Sequence, residues 1–62
     1  MKALVVYDVA GTVTTKTIEG PYIRCQLFRD GRLSVTVFAT ERGEKVRAFF
    51  AQTAYEVDLD RT

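Results

Sequence analysis

The segment Tyr22–Phe38 constrains the fold of this chain more than any other. Two alternating runs flank Arg29-Asp30-Gly31, and Asp-Gly between such runs is a strong hairpin signal. Two loop lengths compete. A two-residue loop, Asp30-Gly31, pairs Arg29 with Arg32, Leu27 with Ser34, Cys25 with Thr36 and Ile23 with Phe38. Both faces then mix polar and apolar residues, and two arginines oppose each other. A three-residue loop pairs Phe28 with Arg32, Leu27 with Leu33, Cys25 with Val35 and Ile23 with Val37. One face becomes wholly apolar. A slip of one residue exchanges the faces, so burial selects the three-residue loop. It also puts Gly31 at the left-handed position of a type I turn with a G1 bulge, where glycine is free of strain.

The second face of this hairpin carries Tyr22, Arg24, Gln26 and Phe28 opposite Phe38, Thr36, Ser34 and Arg32. Aromatics and arginines alternate there with small polar residues. It is the one candidate working surface in the sequence.

What holds such a hairpin must come from few residues. The chain has 62 residues and reads as one domain, 1–62. Below roughly 70–80 residues a single core rarely supplies more than about 3–5 kcal/mol. Small domains add disulfides, metals or oligomerisation. A lone cysteine, Cys25, closes the first route within one chain, and the absence of histidine removes the common zinc patterns. Association, with itself as a dimer or with a partner, is the remaining route. An apolar share of 47% is ordinary for a folded domain and argues against disorder.

Net charge is +1, and the two halves of the sequence do not separate in sign. That gives little pull toward phosphate backbones or anionic lipid. The start, Met1 to Val6, is interrupted too soon by Asp8 to read as a signal peptide. No apolar run approaches the ~20 residues of a membrane helix. A reducing cytoplasm without membrane attachment is the expectation.

Elsewhere, Lys2–Val9 is apolar at both alternating sets, as in a central strand. Ala10-Gly11 supplies a turn. Thr12–Ile18 is rich in threonine and β-branched residues, which suits an exposed partner strand. Gly20-Pro21 ends it. Tyr55–Leu59 alternates cleanly with Glu56, Asp58 and Asp60.

Between these lies the ambiguous segment. Val46, Phe49, Phe50, Thr53 and Ala54 form one stripe at helical spacing. Thr40 can cap a helix there, and Glu41 with Lys45 gives an i, i+4 pair. Gly43 weakens that reading. A rival makes Glu41–Glu44 a turn and Lys45–Ala51 a strand. The helix, Glu41–Thr53, is preferred because a half-buried strand would expose either Phe49 or Phe50. The expected fold is α+β: a four-strand antiparallel meander, one covering helix and a C-terminal strand, ββββαβ.

The chemistry is narrow. Without histidine there is no Ser-His or Cys-His arrangement, and no phosphate-binding glycine pattern occurs. Cys25, between Ile23 and Leu27 on the apolar face, reads as a core thiol. Glu56, Asp58 and Asp60 lie in a row about 6.6 Å apart. A row does not converge on one cation, so it reads as a solvated acidic edge. No catalytic residue, cofactor or metal site is expected.

The remaining candidates are Tyr22, Arg24, Gln26, Phe28, Arg32 and Phe38, as partner-binding residues. Tyrosine, phenylalanine and arginine are enriched at protein interfaces. The same types can stack bases and hold phosphates, although a nucleic-acid binder normally carries a basic excess. A third possibility is that the chain's own helix covers this face. The expectation is a non-enzymatic interaction or regulatory module that binds a larger protein or itself, with a nucleic-acid-binding sheet as the alternative. Size alone suggests an accessory or inhibitor protein of a phage or mobile element.

Overall fold

The computed structural model describes residues 1–60. Six strands follow one another: β1 Lys2–Val9, β2 Thr12–Glu19, β3 Tyr22–Leu27, β4 Leu33–Phe38, β5 Lys45–Ala51 and β6 Ala54–Asp60. They form two three-stranded antiparallel sheets, in orders β2-β1-β6 and β3-β4-β5. The described residues contain no helix. The expected α+β class is therefore wrong; the protein is an all-β sandwich.

The segment read as a helix is a turn and a strand. Gly43 N–H donates to the carbonyl of Thr40 at 3.1 Å, closing a turn where the helix cap was expected. A side chain at Gly43 would collide with the Thr40 hydroxyl. The glycine that is costly in a helix is thus what this turn requires. β5 then pairs with β4, with Phe49 opposite Val35 and Phe50 opposite Ser34. Phe49 packs against the core, and Phe50 stays 70% exposed. The cost that argued against a strand is present in the fold.

The expected four-strand meander is also divided. β2 and β3 belong to different sheets, and Gly20-Pro21 carries the chain between them. Met1 secures this crossover. Its ammonium group donates to the Gly20 carbonyl at 2.7 Å, and Gly20 N–H returns a bond of 3.1 Å to the Met1 carbonyl. The second crossover, from β5 to β6, is held by Asp8 N–H on the Thr53 carbonyl at 2.8 Å.

β1 is the central strand of its sheet, as its apolar residues on both faces imply, and β6 fills its second edge. The β3–β4 hairpin has the register that burial selects. Leu27 opposes Leu33, Cys25 opposes Val35 and Ile23 opposes Val37. Phe28 N–H donates to the Arg32 carbonyl at 2.8 Å, and Gly31 sits at φ +94°.

The core lies between the sheets. Ala3, Val5, Ile18 and Ala54 come from one; Ile23, Leu33, Val35, Val37 and Ala51 come from the other. Val5 and Val35, at the middle of their sheets, are fully buried. Small and β-branched residues dominate, which lets pleated surfaces approach closely. At one side the sheets are bridged by polar groups. Lys16 of β2 lies 5.1 Å from the ring centroid of Phe49 in β5, and Arg47 of β5 donates to the Glu19 carbonyl of β2.

A candidate binding face

Strand alternation divides each sheet into an inner and an outer face. In β3-β4-β5 the inner set is Ile23, Cys25, Leu33, Val35, Val37 and Phe49, which packs on the other sheet. The outer set therefore contains Tyr22, Arg24, Gln26, Thr36, Ser34 and Phe38, paired Tyr22 with Phe38, Arg24 with Thr36 and Gln26 with Ser34. Phe28 and Arg32 close the ladder at the turn end. All six residues singled out from the sequence thus share one face.

No helix among the described residues covers this face, so the third possibility, intramolecular cover by a helix, falls with the helix. Tyr22 is 41% exposed and Phe28 is 40% exposed. The arginines lie on the aromatics beside them. The Arg24 guanidinium is 5.2 Å from the ring centroid of Phe38, and that of Arg32 is 5.1 Å from the ring of Phe28. Such pairs hold a long side chain flat and keep its donors turned outward.

Each arginine marks one end of the face. Around Arg32, a shallow groove of about 550 Å³ is lined by Gln26, Phe28, Ser34, Phe50 and Gln52. Around Arg24, a second of about 340 Å³ is lined by Tyr22, Phe38, Met1 and Glu41. Glu41 brings an acceptor to an otherwise basic end.

Arg32 is fixed further by the turn. Asp30 accepts from the Arg32 backbone N–H at 3.1 Å and from its Nε at 2.8 Å. The backbone N–H is the main cause that holds the Asp30 carboxyl below the ordinary carboxylate range, and the guanidinium charge adds to it.

The residues missed from sequence are those of β5. Phe50 and Ala48 oppose Ser34 and Thr36 on this same face, and Lys45 opposes Phe38. Alternation within Lys45–Ala51 was the available signal, since it separates Phe49 from Phe50.

The other chemistry resolves quietly. Cys25 is half-buried against the core, and burial pushes its thiol pKa up, which keeps it protonated at neutral pH. No cluster of acidic or cysteine residues suited to a metal occurs among the described residues. Glu56 and Asp58 lie on the outer face of the β2-β1-β6 sheet, opposite Val6 and Leu4. No helix among the described residues is long and apolar enough to cross a membrane. Comparison with protein-family models, curated proteins and solved structures gave no match.

Proposed function

We propose that this chain is a non-enzymatic binding module that captures a larger protein on the outer face of β3-β4-β5. The observation that carries the proposal is Phe50. A phenylalanine left 70% exposed on the edge strand β5, sharing a groove with Phe28 and the Arg32 stacked on it, is surface in need of a partner. Aromatic anchors with adjacent arginines are the composition of interface hot spots. Phe28, Phe50 and Tyr22 supply apolar area, while Arg24 and Arg32 supply directed donors.

The test is affinity capture with the immobilised chain, comparing wild type with Arg24→Ala/Phe28→Ala. The double variant is expected to lose the captured protein while its circular dichroism stays that of wild type. Retention of the same protein by the folded variant overturns the assignment.

A second reading has one observation in its favour. The residues between the crossovers, 20–53, carry six basic and three acidic groups, so the aromatic face belongs to the basic side of the molecule. Single-stranded nucleic acid could stack on Phe28 and Phe50 with phosphates on the arginines. That reading predicts a gel shift with oligonucleotides at low salt, steeply lost as salt rises. Absence of any shift removes it.

A further inference from the structure

The two sheets carry opposite charge. Residues 1–19 and 54–60, which build β2-β1-β6, hold Lys2 and Lys16 against Asp8, Glu19, Glu56, Asp58 and Asp60. Residues 20–53, which build β3-β4-β5, hold six basic groups against Asp30, Glu41 and Glu44. The formal balance is −3 on one sheet and +3 on the other. Stacked sheets lie only about 10 Å apart, so the molecule is polarised from one sheet to the other.

The outer faces match in more than sign. On the acidic side Leu4 is 42% exposed and is flanked by Thr17 of β2 and Asp58 of β6. On the basic side Phe50 is exposed beside Ser34. Each face is a three-stranded sheet that sets an exposed apolar side chain beside charged ones, Leu4 on the central strand of one and Phe50 on an edge strand of the other. Neither suits its own copy. Two basic faces would bring Arg24, Arg32 and Lys45 against themselves, and two acidic faces would do the same with Glu56 and Asp58. Like charges brought together at an interface select against that pairing.

We propose that copies of this chain stack face to back, with the acidic outer face of β2-β1-β6 on the arginine–aromatic face of the next copy. The inference deepens the binding-face reading and rests on it, by naming a second copy as an occupant. Such a contact is heterologous, so it builds open stacks rather than a closed dimer. It differs from the dimer expected from the small size of the core in being open-ended. Opposite charge sets the orientation and supplies most of the attraction, with burial of Leu4, Val6 and Phe50 adding to it, so the contact weakens sharply with salt.

Sedimentation velocity tests this across a dilution series. At ~0.01 M salt, where the Debye length is about 30 Å, species heavier than the 7.0 kDa monomer are expected. At ~1 M salt, where it is about 3 Å, they are expected to revert to monomer. Two charge-reversed proteins sharpen the test. Glu56→Lys/Asp58→Lys and Arg24→Glu/Lys45→Glu should each remain monomeric alone, and their mixture should associate. Arg32 is left intact because it ties the hairpin turn. A wild-type protein that is monomeric at low salt overturns the proposal. So does one whose assembly survives ~1 M salt or either reversal. The acidic-face variant separates the two claims, because it leaves Arg24 and Phe28 untouched. It should lose stacking and still capture a separate protein partner.

Discussion

The backbone amide of Ala54 donates to the carbonyl of Gly31 at 2.7 Å. The tip of the β3–β4 hairpin is thereby tied to the first residue of β6, in the opposite sheet. The turn that fixes the register of the β3–β4 hairpin also joins the two layers. A side chain at Gly31 would meet Thr53 Cα at an ordinary 3.7 Å, so space is not the constraint. The constraint is φ, at +94°. Gly31→Ala is expected to cost about 1–2 kcal/mol, the penalty of a left-handed L-residue. Urea unfolding should show a lower midpoint with an unchanged native spectrum.

Ala10 carries the reverse case. It sits at φ +51°, before Gly11 at φ +85°, in the β1–β2 turn. Two successive positive φ values are the type I′ pattern, which favours Asn-Gly. Replacing Ala10 with asparagine should relieve strain and raise stability by about 0.5–1 kcal/mol, within the range of ordinary turn improvements. Thermal unfolding measures it.

Leu33 and Phe50 separate core from surface. Leu33 is 2% exposed in the core, and Phe50 is 70% exposed. Leu33→Ala should cost about 2–5 kcal/mol, comparable with the whole stability expected of so small a core, about 3–5 kcal/mol. It is expected to unfold the chain at room temperature. Phe50→Ala should change stability by less than about 0.5 kcal/mol, as for an isolated surface substitution. Circular dichroism of the two proteins checks the contrast.

Asp30 gives a pH dependence with a defined sign. Its carboxyl is held below its ordinary value by the Arg32 backbone N–H and guanidinium. The ordinary value, near ~3.9, belongs to the unfolded chain. The charged form is thus favoured by folding. Its stabilisation is fully present above that pH and is lost as pH falls through the lower folded value. Asp30→Asn should flatten the acid limb of a stability profile and leave the neutral region with a constant offset. An unchanged acid limb would show that the Asp30–Arg32 contact does not contribute to stability.

Much of this fold was legible because two signals agreed. In Tyr22–Phe38, alternation and turn chemistry select the same register, and the pairs Leu27–Leu33 and Ile23–Val37 follow. In β1, apolar residues on both faces mark a central strand. β5 was illegible for a physical reason. Val46, Phe49 and Phe50 fit a helical stripe only if every large apolar residue is assumed to be buried. Phe50 is not, and that exposure is what the binding-face reading now rests on. Charge was hidden differently. Counting along the chain mixes the signs, because β1, β2 and β6 come from its two ends while β3, β4 and β5 come from its middle.

We propose the outer face of β3-β4-β5 as the place where a protein partner sits. Titrating the captured partner into isotopically labelled chain, and following amide shifts residue by residue, tests it most directly. Shifts concentrated at Tyr22, Arg24, Phe28, Arg32, Phe38 and Phe50 are expected. Shifts centred instead on Leu4, Val6, Thr15 and Thr17, across the sandwich, would contradict it.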